Sequence, residues 1–399
     1  MSRLSDSYDV LIAGGGPAGA SAAIHLALAG ARVLLAEQKK FPRAKLCGEF
    51  ISPECLEHFE RLGVMTRIEA SKGALIDATL FYSRRGKTVS VPSEWFNAES
   101  GRAVGLSRAL MDAALLARAR EVGVEVLEET QATGLLLEEG SVRGVYLRTK
   151  DTQARLYRVR VALDATGRTR ALARQLEKDT GQSRHTKKRR APLVAFKAHL
   201  EGARGADRAC EIYFYRGGYG GLSRVENGLS NLCFIARARD VRACRSDPER
   251  VLREVVATNS RAAWTLQNAR AQSEWLSVSL ESFGRCELVP VEGLLTVGDA
   301  AAFIDPFTGS GMLMALEGGE LAGRVVAKHL DGLRQGQKNF DALADDYRAA
   351  YGQKFNQRLR LCSLLRRAAL FPRLADAAIL TFGMSERVRR RLARATRKG

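Results

Sequence analysis

Three glycines, Gly14, Gly16 and Gly19, stand in the order G-x-G-x-x-G within Tyr8-Asp9-Val10-Leu11-Ile12-Ala13-Gly14-Gly15-Gly16-Pro17-Ala18-Gly19, and Glu37 follows eighteen residues after the last of them. Residue types at this spacing hold a dinucleotide. Gly14 permits a tight turn, Gly16 lets the backbone approach a pyrophosphate, and Gly19 lets a helix pack closely on a strand. The phosphates then meet the positive end of a helix that begins near Pro17. Glu37 is placed to accept hydrogen bonds from both hydroxyls of an adenosine ribose, which favours FAD or NAD over NADP. A second constellation lies near the other end of the chain: Gly298-Asp299-Ala300-Ala301, then Asp305-Pro306-Phe307-Thr308-Gly309-Ser310-Gly311-Met312. Helical apolar spacing runs from Met312 to Leu330, and Gly309 and Gly311 open the start of that helix, which carries roughly half a positive charge.

These residues need a strand, a turn and a helix to place them. Tyr8 to Ala13 reads as a buried strand, the run after Pro17 as an alanine-rich helix, and Arg32 to Ala36 as a second strand ending at Glu37. Val10 to Ala31 carries no Asp, Glu, Lys or Arg and is long enough to span a bilayer, but three consecutive glycines and Pro17 argue against one continuous helix. Asp6 and Asp9 do not fit the cationic start of a signal peptide. Ser52-Pro53 marks a helix start with Ser52 as cap, 75–90 alternates as strands around Arg84-Arg85-Gly86-Lys87, and 107–122 is helical. Strands follow at 124–126, 134–137, 142–147 and 157–163. Between about 191 and 285, the segments 211–215, 229–236 and 274–280 alternate as in an antiparallel sheet. Gly217-Gly218-Tyr219-Gly220-Gly221 reads as a turn between strands. The expected architecture is α/β: a discontinuous nucleotide-binding domain (1–75, 101–180 and 286–340), an inserted, mostly antiparallel substrate domain (76–100 and 185–285), and a basic helical segment, 341–399.

Of 399 residues, 46% are hydrophobic, ample for a large core in roughly two to three domains. Seven cysteines without a C-x-x-C pair imply reduced thiols and a cytoplasmic protein. Five histidines off metal-ligand spacing predict no metal site. The net charge of +19 is uneven: residues 350–399 hold thirteen Lys or Arg against two acids, and 184–190 forms a second basic cluster. Neither belongs to a recognisable nucleic-acid module, so no nucleic acid is expected as partner. Residues 355–399 intersperse arginines with Leu361, Leu364, Leu365, Ala369, Leu370 and Phe371. That composition fits either peripheral contact with an anionic membrane, at its inner face, or a basic helical cap on the nucleotide domain.

Taken together, the two glycine constellations resemble those of the p-hydroxybenzoate hydroxylase superfamily of FAD-dependent oxidoreductases, and most closely its geranylgeranyl-reductase-like branch, over about residues 8–330. The resemblance implies a glutathione-reductase-like FAD domain, with Gly14, Gly16, Pro17, Ala18, Gly19 and Glu37 on the adenosine and pyrophosphate side. It implies that Asp299 hydrogen-bonds the ribityl chain and that the Pro306, Gly309, Gly311 and Met312 turn brings backbone N–H groups to the flavin pyrimidine edge. There the helix start would favour the reduced flavin. Phe41 to Phe50, including Lys45, Cys47 and Gly48, resembles the loop beside the isoalloxazine. Cys47 is then a flavin-tuning residue or a proton donor to substrate, with an inert buried thiol as the alternative. Leu106-Ser107-Arg108-Ala109-Leu110 is similar to the segment whose arginine reaches the cofactor, so Arg108 is a candidate FAD contact unless it is a helical surface residue. The backbone near Ala132 would contact adenine.

Departures from the pattern shape the functional expectation. Glu49-Phe50 follow Cys47-Gly48 where relatives often continue with glycines, and Thr166 holds the position of an aspartate usual in the hydroxylases. Archaeal reductases carry Tyr-x-Trp where this chain has Tyr219 and Gly221; Tyr219 is kept as a candidate catalytic residue. Trp95, Trp264 and Trp275 are not spaced as in the halogenase Trp-x-Trp-x-x-Pro. The implied reaction is reduction of alkenes in an apolar prenyl or polyketide-like small molecule. The alternative is a flavin monooxygenase hydroxylating an aromatic or polyketide-like compound. Only one dinucleotide fingerprint is present, so NAD(P)H or a reduced electron-transfer protein is expected as transient donor.

Overall fold

A computed structural model describes residues 7–96, 101–150, 152–179, 192–281, 283–336, 340–369 and 385–397. The basic cluster 184–190, Leu370 and Phe371 lie outside the described residues.

The first strand, Ser7–Ala13, is buried from Tyr8 onward inside a seven-stranded sheet. It pairs in parallel with Val33–Ala36 on one side and with Arg155–Asp164 on the other. Glu125–Leu127 and Leu294–Thr296 extend the parallel part, and Thr130–Glu138, Ser141–Thr149 and Arg155–Asp164 form an antiparallel meander. An uninterrupted apolar run such as Val10–Ala13 suits a strand covered on both faces. Helices Pro17–Leu28, Arg108–Glu121 and Gly311–Lys328 share one core with the sheet, through Ile24, Leu115 and Leu316 among others. On the other face, Leu11, Leu34 and Ala162 pack with Val142, Val145 and Leu147 of the meander.

The second sheet has eight strands in the order Arg270–Ala271, Leu193–Glu201, Ser230–Arg237, Gly218–Arg224, Ala209–Tyr215, Ala78–Tyr82 and Thr88–Pro92, with Leu276–Leu280 also paired to Leu193–Glu201. Every pairing is antiparallel except that of Ala78–Tyr82 with Ala209–Tyr215. Period-two alternation divides its side chains. Phe196, Tyr213, Tyr215 and Phe234 pack with Val241, Val251 and Ala262 of the helices Ala238–Ala243, Pro248–Glu254 and Ser260–Leu266. Ala195, Phe214, Tyr219 and Ile235 form a separate cluster with Phe303 and Phe307 of the nucleotide-binding part.

Two local expectations are corrected, and one interval is filled. The glycine run 217–221 is not a turn between strands: only 216–217 turns, and Gly218–Arg224 is an interior strand. Its missing side chains let neighbouring strands close in, since a Cβ on Gly218 would stand 1.9 Å from the Ile235 carbonyl oxygen. Three short helices at 238–266 fill the interval between the alternating segments 229–236 and 274–280, for which the sequence predicts no element. Ser52 does precede Pro53–Leu62, but its hydroxyl meets the Cys55 thiol (3.5 Å) instead of a helix N–H.

Phe340–Ala369 buries Tyr347, Phe355 and Arg358 against the nucleotide-binding core, and the helix Glu386–Ala395 lies on Thr88–Pro92 and Ser93–Trp95. Among the described residues no helix is long and apolar enough to cross a membrane.

Candidate active site

A cavity of about 830 Å³ is lined by residues of both sheets. At one end lies the turn after Ser7–Ala13. Gly14 adopts φ +107°, and a Cβ there would stand 2.4 Å from the Ala165 carbonyl oxygen. Gly19 does not reach the cavity; its missing Cβ makes room for the Gly14 carbonyl oxygen, 1.9 Å from where that carbon would be. Gly16 differs. A Cβ on it would meet no backbone, only Arg108 Nη2 at 3.8 Å and Arg43 Nη2 at 4.0 Å. Two guanidinium groups beside a helix N-terminus are a donor set that suits a pyrophosphate. Arg43 was not singled out in the sequence, because its partners, Asp112 at 3.2 Å and Glu37 at 3.7 Å, come from distant segments.

Glu37 is buried, with Oε2 accepting from Gly15 N (2.8 Å) and Oε1 from Lys39 N (3.0 Å). A carboxylate offers about four acceptor sites, so two remain for a ligand. Arg108 is not a surface arginine: it is buried, and Nε and Nη2 each donate to Asp112 at 2.8 Å. Burial opposes its charge, but Asp112 outweighs that and holds its pKa above the ordinary value. Asp299 follows the strand Leu294–Thr296 in a short turn; burial raises its carboxyl pKa against the opposing charges of Arg168, Arg108 and Lys45. Burial lowers the pKa of Lys45, and Arg43 and Arg108 act in the same direction.

In the middle of the cavity the loop 45–50 is tied to the second sheet. Asn231 Nδ2 donates to the Cys47 carbonyl (3.1 Å) and Ser223 Oγ to that of Gly48 (3.3 Å). Cys47 itself is half-buried. Glu49 is buried, with φ +53°, and its carboxylate meets Lys197 Nζ at 2.5 Å, His199 Nε2 at 2.6 Å and Arg108 N at 2.8 Å. Burial pushes the Glu49 pKa up, yet the His199 hydrogen bond and the Lys197 charge outweigh it and the net direction is down. Opposite this loop, Asp305 Oδ1 accepts from Phe307 N (3.0 Å) and from the Tyr219 hydroxyl, pinning the turn that leads to Gly309 (φ +61°). Burial and Asp305 hold the Tyr219 pKa well above its ordinary range, so the phenol positions this turn and is a poor acid. A Cβ on Gly311 would enter open space.

The remaining lobe is apolar, walled by Phe81, Val89, Ile212, Phe214, Ile235 and Val278. Gly221 lies on the cavity face with Tyr219, and a Cβ on it would stand 3.2 Å from Ile212 Cδ1. A third side comes from the basic helix: Arg389, Leu392, Ala393, Thr396 and Arg397 line the cavity at i, i+3, i+4, i+7, i+8 spacing. Their neighbours Arg387, Arg390, Arg391 and Arg394 are exposed on its other side. Of the residues singled out in the sequence, Gly14, Gly16, Pro17, Ala18, Glu37, Lys45, Cys47, Gly48, Arg108, Ala132, Tyr219, Asp299, Pro306, Gly309, Gly311 and Met312 all line this cavity, and Gly19 packs behind it.

Residues 7–354 match the profile of the family described as FAD binding domain. A digeranylgeranylglycerophospholipid reductase of Methanosarcina mazei is 29% identical over 328 residues, spanning 81% of this chain and 76% of that protein. Among solved structures, the flavin-dependent brominase Bmp2 superposes with a TM-score of 0.79 at 20% identity, over 97% of this chain and 94% of that one. A geranylgeranyl bacteriochlorophyll reductase-like protein of Thermoplasma acidophilum gives 0.74 at 19% identity, over 97% and 96%. At such identities these two structures speak to the fold alone.

Proposed function

The chain belongs to the FAD binding domain family and is an FAD-dependent oxidoreductase, and on that premise we propose that it saturates carbon–carbon double bonds of an apolar, prenyl or polyketide-like substrate. The observation that carries this reading is the apolar wall of Phe81, Ile212, Phe214 and Ile235 sharing one cavity with Cys47. The name of the Methanosarcina mazei relative, a reductase, supports it. So does Thr166, whose hydroxyl donates to Asp164 at 2.6 Å and offers the cavity no carboxylate.

The residues fit the cofactor. Arg43 and Arg108 beside Gly16 would hold the pyrophosphate at Pro17 and Ala18, Glu37 the ribose, Ala132 the adenine, Asp299 the ribityl chain, and the Pro306–Met312 turn the pyrimidine edge, with Lys45, Cys47 and Gly48 alongside. Bound there, FAD supplies a two-electron carrier. The apolar wall excludes water from the alkene, and the Cys47 thiol would donate the proton that completes saturation. Cys233 lines the same cavity, but burial pushes its pKa to about 12, which makes it a poor proton donor. NAD(P)H or a reduced electron-transfer protein would act as donor. The exposed stripe Arg387, Arg390, Arg391 and Arg394 would seat the enzyme on an anionic membrane surface, at the cytoplasmic side.

Purified protein should be yellow. Reduced anaerobically and mixed with a polyprenyl alcohol, it should return product heavier by two hydrogens per double bond. No saturation there, together with oxygenated product when the same mixture is admitted to air, would replace this reading with the monooxygenase one. Cys47→Ser should slow saturation; unchanged turnover would remove Cys47 as proton donor.

A further inference from the structure

Arg397, just past the helix Glu386–Ala395, is only 5% exposed. Its carbonyl accepts a hydrogen bond from Arg358, which is fully buried and held by Glu317 of Gly311–Lys328 at 2.5 Å. Its guanidinium carbon lies 4.5 Å over the Phe96 ring, and Nη1 donates to the Gly309 carbonyl at 3.2 Å. Nη2 is 3.6 Å from where a Gly309 Cβ would stand, and Nε has no hydrogen-bond partner. A carbonyl and a phenyl ring are neutral partners. Burial accordingly drives the pKa of Arg397 down, with Glu54 opposing through space.

A cation taken out of water without full compensation is costly, and an anion placed beside it relieves that cost. Seven cationic side chains line the cavity, Lys39, Arg43, Lys45, Arg108, Arg168, Arg389 and Arg397, against three carboxylates, Glu37, Glu49 and Asp299. Arg43 and Arg108 face Gly16. Arg397 stands instead at the Gly309 turn, where the helix Gly311–Lys328 begins and its dipole presents a second partial positive charge. Both fields point to one place.

We propose that Arg397 stabilises the negative charge that reduction places on the pyrimidine edge of FAD, which makes the basic segment beyond Ser385 part of the redox centre. The inference rests on the cofactor placement proposed above. It assigns to Arg397 more than a latch: a latch needs only the Gly309 and Arg358 hydrogen bonds, and its loss would change stability without changing the balance between oxidised and reduced cofactor.

The test compares wild type, Arg397→Met and Arg397→Lys holoproteins in excess FAD, by redox-dye titration and by sulfite affinity read from bleaching of the flavin band. Arg397→Met is expected to lower the preference for reduced over oxidised cofactor about tenfold, equal to about 30 mV toward more negative potential for a two-electron couple. Sulfite should bind more weakly in the same variant, and Arg397→Lys should keep most of both quantities. Unchanged potential in Arg397→Met at full FAD occupancy overturns the inference, as does an equal shift in the lysine and methionine variants. Wild type that takes up no FAD would overturn the cofactor placement itself, a separate outcome.

Discussion

Gly16 and Gly19 stand three positions apart and do opposite things. A methyl group on Gly19 would strike the Gly14 carbonyl, whereas one on Gly16 would occupy the space between the nucleotide turn and two guanidinium groups. Gly19→Ala is therefore expected to destabilise even the flavin-free protein, by about 1–3 kcal/mol. Gly16→Ala should melt like wild type without FAD and bind FAD more weakly; thermal melts with and without added FAD separate the two. Asp299 gives the complementary case. Its raised pKa means that folding favours the protonated form, so its contribution to stability falls as pH rises from the ordinary aspartate value through the raised one. Asp299→Asn should raise flavin-free stability near neutral pH by an amount on the order of 1 kcal/mol, whereas Asp299→Ala, which removes the hydrogen-bonding group, should lose flavin; retention of wild-type flavin occupancy in Asp299→Ala would refute the ribityl assignment. These residues were legible in the sequence because their spacing is local. Arg43 and the Glu49–Lys197–His199 cluster were not, since their meaning arises only when strands far apart in sequence meet.

At the scale of elements, the loop 45–50 depends on a carboxylate that belongs to no helix or strand core. Glu49→Ala would leave Lys197 buried without its partner and should cost about 3–5 kcal/mol, measured by urea unfolding. The pKa of Glu49 is depressed, so its stabilising contribution is complete above the ordinary glutamate value of 4.5 and is lost as pH falls through the depressed one. Acid unfolding of the wild type should therefore steepen below that ordinary value, and Glu49→Gln should flatten this part of the curve. The strand Gly218–Arg224 was misread because glycines contribute nothing to an alternating pattern and ordinarily mark turns. The helix Arg108–Glu121 was legible through its Ser107 cap, whose Oγ accepts from Leu110 N at 3.3 Å.

Across the whole molecule, the α/β architecture with an inserted sheet was readable because the two glycine constellations mark both ends of a nucleotide-binding fold. The role of the basic helix was hidden by its composition: Arg389 and Arg397 line the cavity while Arg387, Arg390, Arg391 and Arg394 face outward, and the sequence alone does not sort them. Truncation after residue 354 would test membrane binding badly, since Phe355, Arg358 and Cys362 are buried. Replacing the four outward arginines with glutamine is the cleaner experiment. Each contributes about 1 kcal/mol near anionic lipid, so the variant should lose flotation with anionic vesicles while keeping its visible spectrum. Equal flotation of variant and wild type would remove the membrane proposal. Wild-type binding should also weaken with added salt.

Gly221 carries a consequence for how such a cavity changes over generations. A glycine codon reaches alanine, valine, serine and several larger residues by one base change, and each adds atoms beside Ile212, where 3.2 Å already separates a would-be Cβ from its neighbour. The added side chain has to grow into the cavity. Single substitutions at this codon are therefore expected to narrow the range of molecules accepted. A library randomised at codon 221 and scored on substrates of graded length should return no variant that accepts a longer chain than its parent.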